Sequence, residues 1–312
     1  MPDPPPIPEP LAIGPRKALF SWLALVGLSA VASLVFLVAA WTGVGPSSEA
    51  GHPVPPVTAA DEEAQLRRAL ELSTEGEARL AAASRLAVAL HSQGRFDEAV
   101  ALYREALEEG ERLLEPGHPG VLSLWNNLAA ALRAQGSYEE AEPVLRELLG
   151  HRERFLGPHH ADTLGSRHNL AHVLQSAGRY EEAERLYRDT LEGAIASLGP
   201  EHPETLATGH NLAATLRARG ELGEAERLCL ETWQARSRVL GPAHPSTLAT
   251  LHNLAELRHA MGRHAEAEQL FSEVWEGFAA AHGAEAEPTL RVRAHWEACR
   301  EALRVVAEDS ER

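Results

Sequence analysis

The sequence predicts an all-α solenoid of two-helix repeats behind a single transmembrane helix, and three observations predict it. Short motifs recur every 42 residues from about residue 76 to residue 285, which is the signature of a stacked repeat array. Alanine and leucine dominate, and aromatic residues make up only 5% of the 312 residues. That balance favours helices packed closely on helices over sheets. One uncharged apolar run, 18–41, stands apart from the repeats, and it exceeds the roughly 20 residues a helix needs to cross a bilayer core.

The amino end carries the membrane signal. Residues 1–17, MPDPPPIPEPLAIGPRK, form a proline-rich arm, expected to be extended because proline removes the amide donor and clashes with the preceding turn. In the run that follows, Trp22 and Trp41 would stand about 28 Å apart on a helix, close to the hydrocarbon thickness, as interface anchors do. A cleaved signal peptide is the alternative, with Val38-Ala39-Ala40 as small residues near a cleavage point. Its apolar region is usually about 7–15 residues, so the longer run reads as an uncleaved, single-pass anchor. Arg16 and Lys17 precede the run and no further lysine or arginine follows until Arg67. The positive-inside rule therefore puts the arm in the cytoplasm and the bulk of the chain outside, periplasmic or extracellular. Lys17 is the only lysine, a bias of GC-rich bacterial genomes, so the expected address is a bacterial cell membrane. Residues 42–60, TGVGPSSEAGHPVPPVTAA, show no apolar period and read as a flexible linker.

From 61 to 312 the chain reads as the solenoid, with units at about 76–117, 118–159, 160–201, 202–243 and 244–285. Leu156-Gly157-Pro158 returns as Leu198-Gly199-Pro200 and Leu240-Gly241-Pro242, and Asn127-Leu128-Ala129 returns at Asn169, Asn211 and Asn253. Gly94, Gly136, Gly178, Gly220 and Gly262 keep the same period, each followed five residues later by an alanine. Two helices fill each unit. The first starts after a His-Pro loop, where Pro119, Pro203 or Pro245 suits an initial turn. The second opens on acidic residues such as Glu181 and Glu182, which favour the positive end of a helix dipole. It should end at Leu-Gly-Pro, with glycine as a left-handed cap. Residues 288–307 read as one capping helix, with Leu290, Trp296, Cys299 and Leu303 available for one face.

These residues resemble the tetratricopeptide repeats, and among them the longer 42-residue type found in kinesin light chains. The segment 198–230, LGPEHPETLATGHNLAATLRARGELGEAERLCL, looks like that unit almost throughout, and the resemblance covers about residues 76–282. Leu170, Ala171, Leu174, Gly178, Tyr180, Ala183 and Tyr187 match the family's packing positions. Departures cluster toward the ends: Leu222 and His264 replace the turn aromatic, Arg258 replaces a leucine, and Arg85 stands where later units have asparagine. Cys229 takes the slot of Tyr103, Leu145, Tyr187 and Phe271, so it reads as a buried structural thiol.

Function, if it is binding, should lie on the first helices. Positions one and two before the period leucine, and two and five after it, share a face away from the packing stripe. They are Asn126, Asn127, Ala130 and Arg133; His168, Asn169, His172 and Gln175; His210, Asn211, Ala214 and Arg217; and His252, Asn253, Glu256 and His259. The family resemblance implies that this face is a concave groove whose asparagines hydrogen-bond an extended peptide, with Arg133 and Arg217 holding acidic side chains or a carboxyl terminus. The competing reading has the asparagines bridging adjacent repeats, and the two roles are compatible.

Other functions fit poorly. A formal charge of -16 opposes nucleic acid. The two cysteines have no C-x-x-C spacing, and no G-x-S-x-G elbow or P-loop is present, so catalysis and a cofactor are not expected. His118, His160, His202 and His244 recur one per unit, and translated copies of a side chain do not converge on one metal as a tetrahedral site requires. His168 and His172 make at most half a site. The expectation is a membrane-anchored adaptor that binds an extended peptide or envelope protein. The alternatives are an envelope scaffold assembling through its convex face or its span, and the adaptor remnant of a larger signalling protein.

Overall fold

The structure, a computed structural model, describes residues 59–73 and 76–310. The expected arm, the span 18–41 and most of the linker 42–60 lie outside the described residues. Among the described residues no helix is long and apolar enough to cross a membrane.

Among the described residues twelve helices follow one another: α1 (Ala59–Leu72), α2 (Glu77–Ser92), α3 (Phe96–Leu113), α4 (Pro119–Gln135), α5 (Tyr138–Leu156), α6 (Ala161–Ser176), α7 (Tyr180–Ser197), α8 (Pro203–Ala218), α9 (Leu222–Leu240), α10 (Pro245–Ala260), α11 (His264–His282) and α12 (Glu287–Ser310). Each packs on the next in sequence, so the described part is an all-α repeat array. First helices of successive units also touch, α2 on α4, α6 on α8, α8 on α10 and α10 on α12. That crowding places the first helices on the inner side of the stack.

Local chemistry explains the helix ends. His118, His160, His202 and His244 are the N-caps of α4, α6, α8 and α10. Their Nδ1 atoms accept from the backbone N–H two residues on, at 3.2, 3.2, 3.3 and 3.1 Å. Each satisfies one of the orphan donors of a first turn, the work usually done by serine or aspartate. Pro119, Pro203 and Pro245 stand in those first turns. The glycines that end the second helices do have positive φ, but Gly157 (φ 91°, ψ 161°) and Gly241 (φ 89°, ψ 158°) are extended in ψ. They are therefore not the left-handed helical caps the sequence suggested. The chain must leave the helix straight toward the next N-cap, in a region almost reserved for glycine.

The core runs as a ribbon through the stack. Leu170, Ala171 and Leu174 of α6 meet Ala183 and Tyr187 of α7, all buried, and Tyr187 donates its hydroxyl to Gln175 Oε1 at 3.2 Å. Burying such a ring contributes about 1.5–3 kcal/mol, which no isolated helix pair would retain without its neighbours. Tyr180, matched as a packing position, is 37% exposed. Cys229 is buried in its predicted slot, donates weakly to the Thr250 carbonyl at 3.3 Å, and burial pushes its thiol up to about 12.

Both ends depart from expectation. α1 begins at Ala59, inside the expected linker, and its Leu66 and Leu70 pack on the array. On α12 Cys299 is buried and Trp296 packs on the array as expected, joined by Thr289 and Val292, whereas Leu290 is 41% exposed. Helical spacing allowed Leu290 or Val292, and the position of α10 and α11 selected Val292.

Along the turns, arginines clamp neighbouring units. Arg179 donates to Glu142 of the preceding unit at 2.8 and 2.7 Å and to Glu182 at 2.6 Å. Arg95 with Glu63, and Arg263 with Glu226, repeat that pairing. Their glutamates are half-buried but the arginines still reach solvent, so screening keeps each pair weak and these pairs set register more than stability.

Candidate partner-binding face

The first-helix positions named from the sequence come together as a continuous row, but most of them bind one another. His168 is held by two residues of the following unit. The Thr208 hydroxyl donates to the Glu204 carbonyl at 2.8 Å, so it accepts from His168 Nδ1–H at 3.0 Å. This fixes the tautomer, and His168 Nε2 then accepts from Asn211 Nδ2 at 3.2 Å. One unit on, Asn253 Nδ2 lies 3.3 Å from His210 Nε2, and the Thr250 hydroxyl lies 3.4 Å from His210 Nδ1. At the end of the row His295 takes the asparagine's place, its Nδ1 standing 3.1 Å from His252 Nε2.

His168 and His210 are neutral at pH 7. Burial, reinforced by the charges of His172 and Arg133, brings His168 down to about 4. Burial, with Arg236, His252 and Arg217 adding to it, does the same for His210. His172, His252 and His259 are also held below the usual imidazole value, in each case chiefly by burial. Desolvation penalises the imidazolium, and among the described residues no carboxylate offsets it at His168 or His210.

The arginines expected to grip acidic ligands already have partners. Arg133 donates from Nη1 to Asn169 Oδ1 at 2.7 Å, and Arg217 pairs with Glu256. Gln175 accepts from Tyr187. By contrast Asn126 and Asn127 are half-buried, and no side-chain hydrogen bond to either is formed among the described residues. The structure thus gives the asparagines of the later units a bridging role: Asn211 and Asn253 each reach a histidine of the preceding unit, and Asn169 accepts from Arg133 of the unit before it. The Asn169 amide nitrogen and the Asn211 and Asn253 oxygens form no side-chain hydrogen bond among the described residues.

Sequence reasoning missed two buried arginines. Arg152 and Arg236, two periods apart, are 9% and 7% exposed. Arg152 Nη1 donates to the Asp162 carbonyl at 2.8 Å and to Ser166 Oγ at 2.6 Å. Arg236 does the same to Ser246 O at 2.9 Å and Thr250 Oγ1 at 2.7 Å. They pin the second helix of one unit to the first turn of the next, and the Thr250 contact couples Arg236 to the histidine row. The only signal was that arginine alternates with Gly110, Ala194 and Phe278 at this position of the period.

A second group was also missed: His259, His264 and Cys299 bring their ligand atoms within 4.8 Å of one another, as do His252, Glu256 and His295. The translation argument applied to residues that recur, whereas these sit where the repeat breaks.

Comparison with known proteins agrees with this architecture. The tetratricopeptide repeat family matches over residues 78–154, 120–196, 162–228 and 204–278. No curated protein matches the chain. Among solved structures, the kinesin light chain array of nearly identical TPR-like repeats from Podosopora anserina is 31% identical, with 67% of this chain and 99% of that one covered and a TM-score of 0.59. BtubC (BKLC) from P. vanneervenii is 21% identical over 74% of this chain and 94% of its own, with a TM-score of 0.62. Yeast Tom70 shares the fold at 16% identity, 89% and 50% coverage and a TM-score of 0.54. A 42-residue period, a match over most of the described array and a kinesin-light-chain neighbour point the same way: the chain belongs to the tetratricopeptide repeat family.

Proposed function

We propose that this protein is a membrane-anchored adaptor that holds an extended peptide, or an extended segment of an envelope protein, along its first-helix face. The family it belongs to generally serves protein–protein interaction, and its scaffold is typically non-catalytic. The observation that carries the reading is the uncommitted amide chemistry on that face. Asn126 and Asn127 have no in-chain partner among the described residues, and the Asn169 amide and the Asn211 and Asn253 oxygens extend the row. An amide offers both donor and acceptor, which suits the backbone of an extended strand. Because Arg133 and Arg217 are engaged within the chain, recognition of the peptide backbone is favoured over recognition of a carboxylate.

In this reading residues 18–41 cross the membrane, with 1–17 cytoplasmic and the repeats outside. The support is the uncharged run and the Arg16-Lys17 pair before it. Reporters fused at residues 10 and 60 test the topology, and activity of an externally required reporter at residue 10 overturns it.

Crosslinking in the native membrane tests the face. Asn126→Ala with Asn127→Ala removes amides that hold no neighbouring unit, so helicity and melting should stay as in the parent while specific partners disappear. An unchanged set of captured proteins refutes the groove. One observation favours the scaffold reading as a second possibility: an apolar groove of about 680 Å³ lies between α7 and α9, lined by Leu191, Ile195, Leu228 and Ala235. Loss of the captured proteins with Ile195→Glu, and not with the asparagine variant, would select it.

A further inference from the structure

The end of the array carries chemistry that the repeat does not explain. His259 closes α10, His264 opens α11, and Cys299 lies on α12. One period earlier the same three positions are Arg217, Leu222 and Leu257. Three positions therefore change to nitrogen or sulfur donors in the same place. The tight turn between α10 and α11 sets His259 Nδ1 and His264 Nδ1 3.0 Å apart, with ring centroids at 4.7 Å. Cys299 is fully buried beneath them and its thiol donates to the His264 carbonyl at 3.3 Å.

From these positions we propose that His259 Nδ1, His264 Nδ1 and Cys299 Sγ form a binding site for one zinc-class transition-metal ion. Tetrahedral zinc with bonds of about 2.0–2.1 Å to nitrogen and 2.3 Å to sulfur needs N···N near 3.3 Å and N···S near 3.6 Å. One ligand atom of each of the three residues already lies within 4.8 Å of the others, about an ångström from the separations a bound ion requires. Two imidazoles and a thiolate are borderline-to-soft donors, which select zinc over magnesium or calcium. On binding, the Cys299 proton leaves to solvent and the His264 carbonyl loses a weak donor, while the fourth position is left to water.

The consequence is mechanical. One ion would tie α10, α11 and α12 together at the terminus, where a stack has a neighbour on one side only. The adjacent group of His252, Glu256 and His295 differs in kind. His295 occupies the asparagine position and meets His252 as Asn253 meets His210, and Glu256 is paired with Arg217. Those contacts belong to the inter-unit row.

Cobalt(II) titration of the full-length chain, purified in detergent without a histidine tag, tests the site. The expected result is one Co²⁺ per chain, with tetrahedral d–d bands and a thiolate-to-cobalt charge-transfer band, both displaced by Zn²⁺. Cys299→Ser should abolish the charge-transfer band. His264→Leu, which restores the residue of the preceding unit and so keeps the fold, should weaken binding by about 100-fold or more, beyond the 10–100-fold typical of losing an outer-shell partner. His295→Asn, the same kind of restoration, should leave the spectrum unchanged. No charge-transfer band in the parent, a band that survives Cys299→Ser, or binding lost with His295→Asn and kept with His264→Leu would each overturn the proposal.

Discussion

Acidification from pH 7.5 to pH 5 should destabilise the array through His168 and His210. Both are neutral and buried, with values brought from 6.5 to about 4, while the unfolded chain titrates near the ordinary value. Between those limits the unfolded state binds more protons, so stability falls as pH falls. At pH 5 the loss is about 2 kcal/mol per histidine and about 4 kcal/mol for the pair, approaching about 3 kcal/mol each below pH 4. For an array of this size, 4 kcal/mol is about 8–16 °C in melting midpoint. The acidic side does not imitate this. Glu142, Glu184 and Glu224 are held below 4.5 by their arginines, so their contribution is present above pH 4.5 and is lost only below it. Thermal unfolding of the parent and of a His168→Gln, His210→Gln variant at pH 7.5, 6 and 5 is the assay. The variant should lose most of the pH slope, keeping a residue of the same sign from His172, His252 and His259. A variant as pH-dependent as the parent would refute the neutral-ladder argument.

Three other substitutions probe the joints between units. Arg236→Met leaves the Ser246 carbonyl and the Thr250 hydroxyl short of a buried charged donor. It should cost about 2–3 kcal/mol in urea unfolding and speed amide exchange at the start of α10. His202→Ala removes the N-cap of α8 and should cost about 1 kcal/mol, an effect that His202→Asn largely restores. At Gly199, φ is 97° and an added Cβ meets no atom within 4 Å. Gly199→Ala should therefore cost about 1–2 kcal/mol from backbone strain alone, and a neutral result in urea unfolding would contradict the assigned turn.

Much of the site was legible and its wiring was not. The positions of His168, Asn169, His210, Asn211, His252 and Asn253 on one face follow from helical spacing alone. Their partners do not, because each bond joins residues about one period apart: Asn211 with His168, Asn253 with His210, Arg217 with Glu256. Sequence offers an asparagine a peptide or a neighbour, and only the offset between stacked helices decides. Arg133 and Arg217 were read as ligand-gripping groups for the same reason, although the next unit supplies their acceptors. Cys299 shows the opposite case. Its burial followed from amphipathic spacing, whereas the two histidines above it belong to other helices.

The sequence by itself determined the period, the helix pairs, their glycine and His-Pro punctuation and the family, because these depend on residues close along the chain. Tertiary structure alone decided that Val292 and not Leu290 completes the inward stripe of α12, which polar groups on the first helices are spent on neighbours, where Arg152 and Arg236 are buried, and that His259, His264 and Cys299 meet. Each depends on the rotation and rise from one unit to the next. That offset is set by packing across the stack, and no single repeat encodes it.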